Sequence, residues 1–240
     1  MKREMRKSSK VFLTIALCFH LVVTLPVATF FIYISIPLTH SASGFVWSTD
    51  TDFYYFRNLS GQEVQMPNNR DKRILLLSDL DIGFVFNEST FRRMDKIIDQ
   101  ANPDLIILAG NNIGNFFNHM ATTQLINRMD GYEIPWAPIL SRADERGKAD
   151  RNYLANMLGN TSFGLFLYGP NSLSTVSGNY FINLMHGNTI HHTLYLFGMR
   201  DGTLTSGQTS WHQWAKDGNQ STYTVINDIV IPRDGKVITI

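Results

Sequence analysis

The sequence predicts an α/β domain with a parallel sheet, preceded by one membrane-spanning helix. Two short apolar runs end at Ser78 and Ala109, and a helical pattern lies between them. Such runs are typical of strands buried on both faces of a parallel sheet, and their alternation with helices is typical of βαβ units. A third observation is an uncharged apolar stretch over residues 11–38. It is long enough to cross a bilayer.

The composition is that of one folded domain with a short appendage. Of 240 residues, 44% are hydrophobic and 17% are charged, which excludes a disordered chain. The formal net charge is +1 and the basic residues cluster only in residues 1–10, so we expect no nucleic-acid partner. The single cysteine, Cys18, excludes an intrachain disulfide and a multi-thiolate metal site.

Residues 11–38 are expected to be a transmembrane signal-anchor. A spanning helix needs about 20 apolar residues, whereas the apolar core of a cleaved signal peptide has about 7 to 15. The basic tail, residues 1–10, is expected to stay in the cytoplasm, which places the body in the lumen or outside the cell. Ser41-Ala42-Ser43 keeps an alternative open, because cleavage there would release a secreted body.

Four Asn-x-Ser/Thr sequons are compatible with an exported, glycosylated body. Their number is close to what chance predicts for a chain rich in Asn, Ser and Thr, so they are not evidence of export. The sequons begin at Asn58, Asn87, Asn160 and Asn219.

The body is predicted to follow a stalk. Residues 39–70 are polar and aromatic and carry turn signals, and the domain, residues 71–240, begins at Asp71. Apolar runs predict strands, and apolar residues at spacings of three and four predict helices. The expected elements are a strand at 73–78, a helix between Ser89 and Pro103, a strand at 104–109, a helix at 120–129, a strand at 138–140 and further strands at 164–168, 179–185 and 193–197.

Polar residues follow three of the predicted strands at the point where each strand ends. In α/β sheets, ligands bind beyond the carboxyl ends of the strands. Carboxylate and amide oxygens gathered there can hold a hard cation. The alternative is that these residues cap helices and close turns. The three segments are Asp79-Leu80-Asp81, Gly110-Asn111-Asn112 and Ser141-Arg142-Ala143-Asp144-Glu145.

At these segments the chain resembles the calcineurin-like metallophosphoesterases, in particular their purple-acid-phosphatase-like branch. Residues 74–81 are similar to the family's apolar strand ending in D-x-H, residues 103–112 to its P-D-L-hydrophobic-T-G-D-N segment, and residues 134–145 to its I-P-W-x-x-V-x-G-N-H-D-E segment. The resemblance runs from about Arg73 to Trp214. It implies a calcineurin-like αββα sandwich, expected to be incomplete at its C-terminus because the family's late G-H-x-H segment is missing.

The resemblance covers the scaffold better than the chemistry. The family uses a two-metal centre, which needs several ligands around two cations. Asp79 keeps the first ligand position, but Asp81 stands in place of a His and Asn111 in place of the bridging Asp. Arg142 and Ala143 replace the ligand Asn and the His that contacts phosphate. We therefore expect no cofactor, and the alternative is one Mg²⁺, Mn²⁺ or Ca²⁺ held by Asp79, Asp81 and Asn111.

The histidines give a weaker metal signal. His186, His191 and His192 are predicted to lie in a hairpin turn, with a metal site as the alternative. His119 and His212 are predicted to be isolated positions on helices.

The leading interpretation is a membrane-anchored phosphoesterase-like domain that has lost its two-metal chemistry and acts by binding. The first alternative is an active, metal-dependent phosphoesterase with a remodelled site. An apolar strand followed by Asp-x-Asp is also similar to the haloacid-dehalogenase phosphotransferases, in which Asp79 would be the nucleophile and Asp81 the general acid. However, Ile-Gly-Phe follows Asp81 and no later Asp-Asp pair follows a strand. The last alternative is a truncated relative with little function.

Overall fold

The computed structural model describes nine segments of the chain. These are residues 2–41, 47–48, 61–67, 71–114, 116–170, 178–187, 189–199, 203–223 and 238–239. The chain divides into two compact units, Met1–Pro37 and Leu38–Ile240, and each is described by itself.

The first unit is helical. It contains α1 (Lys2–Phe19), a π-helical segment (His20–Thr24) and α2 (Leu25–Ser35). The π-helical segment ends two residues before Pro26, which has no N–H to donate to the preceding turn. At the end of the segment, the N–H of Leu25 donates to the carbonyl oxygen of His20. A π turn of this kind lets a helix continue past a residue that cannot donate.

The apolar part of this unit is long enough to cross a membrane. It runs from Val11 to Ser35, 25 residues, and none of it is buried. At 1.5 Å per residue this is about 37 Å, more than the roughly 30 Å of a bilayer's hydrocarbon core. A signal sequence near the N-terminus can also be apolar enough to meet this criterion.

The second unit is a mixed α/β body with two small sheets, so the predicted α/β class is confirmed. Its elements along the chain are β1 (Gly61–Gln65), β2 (Ile74–Leu77), α3 (Glu88–Ala101), β3 (Leu105–Leu108), α4 (Asn118–Asp130), β4 (Trp136–Pro138), α5 (Arg151–Leu158), β5 (Tyr180–His186), β6 (Thr189–Leu196), α6 (Ser206–Tyr223) and β7 (Ile238–Thr239).

The first sheet is parallel and has the order β2-β3-β4. The two crossovers contain α3 and α4, so the predicted strand, helix, strand order is confirmed. The third strand begins at Trp136, two residues before the predicted one. Helix α3 ends at Asn102, whose φ of +41° is the left-handed conformation that closes helices.

Strand β2 is less buried than its sequence predicts. Leu76 is 54% exposed and Ile74 is 37% exposed, whereas β3 is buried along its length. The reason is position, because β2 lies at the edge of its sheet and β3 in the middle. An apolar run alone does not distinguish an edge strand from a central one.

The second sheet has the order β1-β5-β6-β7. Strands β5 and β6 are antiparallel and form the hairpin predicted around His186, with Gly187 at its turn in the left-handed conformation. Of the strand predicted at 164–168, the structure has only an isolated bridge between Gly164 and Trp136.

Two contacts connect residues before Asp71 to the body. Strand β1 lies inside the segment expected to be a stalk, and it pairs in parallel with β5. Leu38, expected to end the membrane segment, forms a bridge with Ala149. The N–H of Leu38 donates to the carbonyl oxygen of Lys148 at 2.8 Å, and the N–H of Asp150 donates to that of Leu38 at 2.9 Å. Leu38 and residues 61–65 therefore pair with segments of the body.

The sheets share one hydrophobic core. Side chains of β3, β4, β5, α3, α4 and α5 form a single buried cluster. Tyr180 of β5 is buried in it, and its hydroxyl donates to the carbonyl oxygen of Pro138 at 2.8 Å. The next residue, Phe181, points to the opposite face of the strand, where it packs with Tyr195 and with Trp211 of α6. The β5–β6 hairpin is thus covered on both faces.

Candidate functional site

The carboxyl ends of β2 and β3 bring two of the predicted site residues together. Asp79 follows β2 and Asn111 follows β3, and the Nδ2 atom of Asn111 donates to Oδ1 of Asp79 at 2.6 Å. The hydroxyl of Ser78 donates to the other carboxylate oxygen at 2.7 Å. Both hydrogen bonds lower the pKa of Asp79 below its ordinary value, and the hydrogen bond from Asn111 has the larger effect.

Backbone hydrogen bonds hold the two loops side by side beyond the strands. The N–H of Asp79 donates to the carbonyl oxygen of Gly110 at 3.3 Å, and the N–H of Ile82 donates to that of Asn112 at 2.8 Å. The N–H of Gly114 then donates back to Ile82 at 3.0 Å. The loops therefore continue the parallel pairing of the sheet and fix the positions of the site residues.

The site residues have unusual backbone conformations. Asp79, Asp81 and Asn111 have φ values of +55°, +48° and +52°. They are three of six residues other than glycine with positive φ in the part of the chain that the structure describes. Asp and Asn tolerate this conformation better than other side chains do. Such residues concentrate where a turn or a binding site requires them.

Asp81 points along the neighbouring loop. A Cβ atom added to Gly114 would lie 1.5 Å from Oδ1 of Asp81, so its exposed carboxylate lies directly over that glycine. Of the three predicted ligands, Asp79 and Asn111 are joined by a hydrogen bond. Asp81 shares their edge of the sheet and lies two residues beyond Asp79 in the same loop.

Asp144 has a structural role that the sequence did not indicate. Its carboxylate is 1% exposed. Oδ1 accepts the N–H groups of Asn112 and Ile113 at 2.8 and 2.9 Å. Oδ2 accepts the N–H groups of Asn111 and Ser141 at 3.1 and 2.7 Å and the hydroxyl of Ser141 at 2.7 Å. One buried carboxylate thus joins the loop after β3 to the loop after β4.

Two further buried polar side chains hold the loop at residues 141–150. Asn118 donates from Nδ2 to the carbonyl oxygens of Asp144 and Ala149 at 3.0 and 2.8 Å, and its Oδ1 accepts the N–H of Ala149 at 2.9 Å. Arg151 bonds to Glu145 at 2.5 Å and to the carbonyl oxygen of Leu140 at 2.7 Å. Neither residue belongs to a motif, and only their burial shows the role.

Arg142 and Ala143 lie at the rim of this edge. Arg142 is exposed and Ala143 is half-buried, with its N–H donating to the hydroxyl of Ser141 at 3.2 Å. Alanine has no side-chain donor, so the side chain at position 143 cannot donate a hydrogen bond to a phosphate. A guanidinium at a ligand position repels cations unless it turns away.

These residues do not fit a two-metal centre. Such a centre needs several anionic or imidazole ligands that converge on two cations. Asn111 is neutral and donates to Asp79, and the carboxylate of Asp144 is fully used by backbone donors. In the part of the chain that the structure describes, no three His, Cys, Asp or Glu side chains form a group that could hold a metal ion.

The histidine cluster lies in the β5–β6 hairpin, as predicted. The rings of His191 and His192 are 4.6 Å apart, and those of His186 and His191 are 6.5 Å apart. Burial lowers the pKa of His191, and nearby Lys72 and the other two histidines act in the same direction. His119 and His212 lie on α4 and α6, as predicted.

The structure places two of the four sequon asparagines. Asn87 is 8% exposed, and its Nδ2 donates to Gly83 and to Gln124. Asn160 is exposed beyond the end of α5. Asn58 and the side chain of Asn219 lie outside the described residues.

Comparison with known proteins adds no family assignment. No protein-family model matches the chain, and no curated protein matches it significantly. The resemblance to the calcineurin-like phosphoesterases therefore rests on residues 74–81, 103–112 and 134–145 alone.

Proposed function

We propose that this chain is a membrane-anchored protein of the calcineurin-like phosphoesterase fold whose strand-end site has lost two-metal catalysis and acts by binding. The fold proposal is supported by the parallel β2-β3-β4 sheet, whose strand ends carry the three family-like segments. It is also supported by the second sheet, which shares the core of the first and is covered by α6 on its other face. An αββα sandwich has these features.

The hydrogen bond from Asn111 to Asp79 carries the proposal of lost catalysis. In a two-metal centre, the residue at position 111 would bring a second negative charge beside Asp79, and the two carboxylates would need cations between them. Here an amide N–H of Asn111 donates a hydrogen bond to the carboxylate of Asp79 directly. The pair is therefore stable without a metal ion, which an aspartate pair would not be.

The membrane assignment rests on the apolar helix. We propose that residues 11–35 stay in the mature protein and span the bilayer, with the basic residues before them in the cytoplasm and the body in the lumen or outside the cell. The support is length, because 25 apolar residues exceed the core of a cleaved signal peptide.

The test is hydrolysis by the full chain in lipid nanodiscs. The substrates are p-nitrophenyl phosphate and bis-p-nitrophenyl phosphate, each with Mn²⁺, Zn²⁺ or Mg²⁺. We expect the wild type, Asp79→Ala and the exposed control Asp99→Ala to give the same background rate. Metal-dependent hydrolysis that Asp79→Ala abolishes and Asp99→Ala preserves would overturn the proposal.

A second candidate is a site for one hard cation. It is favoured by three oxygen-bearing side chains, Asp79, Asp81 and Asn111, at positions where the backbone is left-handed. Turning the amide of Asn111 by half a rotation would direct its oxygen toward Asp79, and an ion could then bind between them. Saturable binding of one Mn²⁺, followed by electron paramagnetic resonance and lost in Asp79→Asn, would favour this candidate.

A further inference from the structure

Large apolar side chains are exposed together on the loop between β2 and α3 and around the start of α4. Phe86 lies in the loop between β2 and α3, where it has a φ of +63° and is 95% exposed. The others are between 37% and 46% exposed. We call the set of Phe84, Val85, Phe86, Phe116 and Met120 the apolar patch.

The two segments that carry the apolar patch contact each other. The ring of Phe117 lies 4.9 Å from that of Phe84 and 5.2 Å from that of Phe116. The side chain of Gln124 also donates to the carbonyl oxygen of Phe84. Isolated exposed apolar residues are normal, but a contiguous group marks an interaction surface.

Hydrogen bonds connect the apolar patch to the first residue of the body. The N–H of Lys148 donates to the carbonyl oxygen of Phe116 at 2.8 Å, and the carbonyl oxygen of Lys148 accepts the N–H of Leu38 at 2.8 Å. The side chain of Asn118 fixes Ala149 to the start of α4. Leu38 and Phe116 are therefore separated by one hydrogen-bonded segment.

The covalent chain sets how far Leu38 can lie from the membrane. The apolar helix ends at Ser35, and only Ile36 and Pro37 lie between it and Leu38. Three residue steps span at most about 11 Å. Neighbouring hydrogen-bonded chain segments are about 5 Å apart, so the backbone of Phe116 lies within about 10 Å of that of Leu38. A helix that spans the bilayer therefore holds Phe116 within about 20 Å of the point where the chain leaves it.

We propose that the apolar patch inserts into the interfacial region of the membrane that the N-terminal helix spans. This inference rests on the proposed membrane anchoring. Aromatic and aliphatic side chains at the headgroup level are removed from water, which favours their insertion. The short connection favours lipid over a second copy of the chain or another protein, because the anchor keeps Phe116 within about 20 Å of a bilayer in every copy of the chain.

The experiment measures depth with a fluorescent label. The full chain with Cys18→Ser and Phe86→Cys carries bimane at residue 86 and is reconstituted into phosphatidylcholine vesicles that contain lipid with a nitroxide on its acyl chain. Gln100→Cys is the matched control, since it is exposed near the far end of α3, about 18 Å further along the helix axis. Met120→Cys is a second patch position and covers the case in which Phe86→Cys does not fold.

We expect the nitroxide lipid to quench the labels at residues 86 and 120 at least threefold more than the label at residue 100. Equal quenching at all three positions, in chain that stays in the vesicles after carbonate extraction, would overturn the inference. Protection of residue 86 that depends on protein concentration and not on nitroxide lipid would also overturn it, because the occupant would be a second copy. Release of the chain by carbonate would instead refute the membrane anchoring itself.

Discussion

The Nδ2 atom of Asn111 donates a hydrogen bond to Oδ1 of Asp79 over 2.6 Å, across the ends of two parallel strands. This contact joins the two residues of the strand-end site through a neutral amide and a carboxylate. A second carboxylate at position 111 would repel Asp79 at this distance unless a cation lay between them. The amide removes that requirement, so the site keeps its geometry without metal.

The first prediction concerns the ionisation of Asp79. Replacing Asn111 with Ala should raise the pKa of Asp79, because the amide is the larger cause of its depression. Ser78→Ala should raise it by less. The measurement is an NMR titration of chains with ¹³C-labelled aspartate carboxyls. An unchanged midpoint in Asn111→Ala would show that the amide does not bond to Asp79.

The same depression has a defined consequence for stability. The pKa of Asp79 is lower in the folded chain than its ordinary value, so the stabilisation it reflects is present above that ordinary pKa. It is lost as the pH falls through the folded pKa. Asn111→Ala should therefore flatten the dependence of stability on pH in the acid range alone. A change in slope near neutral pH would contradict this assignment.

The second prediction concerns the buried carboxylate of Asp144. Asp144→Asn should lower the free energy of unfolding by about 3 kcal/mol, because an amide NH₂ would face backbone N–H groups that lose their acceptor. Urea unfolding of the full chain measures this. Asp104→Asn is the control, since that half-buried carboxylate accepts the N–H of Arg73 near the surface. A loss no larger than in the control would contradict the role given to Asp144.

The third prediction separates backbone strain from side-chain function. Asp81→Gly should raise the free energy of unfolding by about 0.5 to 1 kcal/mol, because glycine adopts a positive φ without the cost that a Cβ atom imposes. Glu133→Gly, at φ +55° in an exposed turn, should give a similar gain. If Asp81→Gly destabilises the body while Glu133→Gly stabilises it, the Asp81 side chain supports the fold.

Local patterns explain how much of this fold the sequence predicts. The apolar runs and the helical spacing between them locate β2, α3, β3 and α4, since strand and helix periodicity are properties of neighbouring residues. Parallel strands end at one edge of a sheet, so the approach of Asp79 and Asn111 also follows from the sequence. The positions of the elements and the approach of Asp79 to Asn111 can therefore be predicted from residues close together in the sequence.

Long-range pairing explains most of what the sequence does not predict. Strand β1 is polar, and it is a strand because Gly61 and its neighbours pair with residues from Phe181 onward. The bridge between Leu38 and Ala149 joins segments equally far apart, and no local pattern marks either one. The acceptor role of Asp144 depends on four backbone N–H groups, from residues 111, 112, 113 and 141, that converge only in the folded loops.

The fourth prediction concerns glycosylation and membrane orientation. Expressed in a eukaryotic cell, the full chain should carry a glycan on Asn160 and none on Asn87. The Nδ2 atoms of both residues donate hydrogen bonds, but Asn160 is exposed whereas Asn87 is 8% exposed. Peptide mass spectrometry after deglycosylation in heavy-oxygen water identifies the modified asparagines, and Asn160→Gln is the control. An unmodified Asn160 would count against a lumenal body, and a glycan on Asn87 would count against its buried position.

The most direct test of the central claim is the metal content of the purified full chain. The protein in detergent is dialysed against a mixture of Mn, Fe, Zn and Mg salts, then against metal-free buffer, and measured by elemental mass spectrometry beside Asp79→Ala. If the site has lost its two-metal chemistry, we expect about zero retained ions per chain in both the wild type and Asp79→Ala. About two ions per chain, lost in Asp79→Ala, would contradict the account.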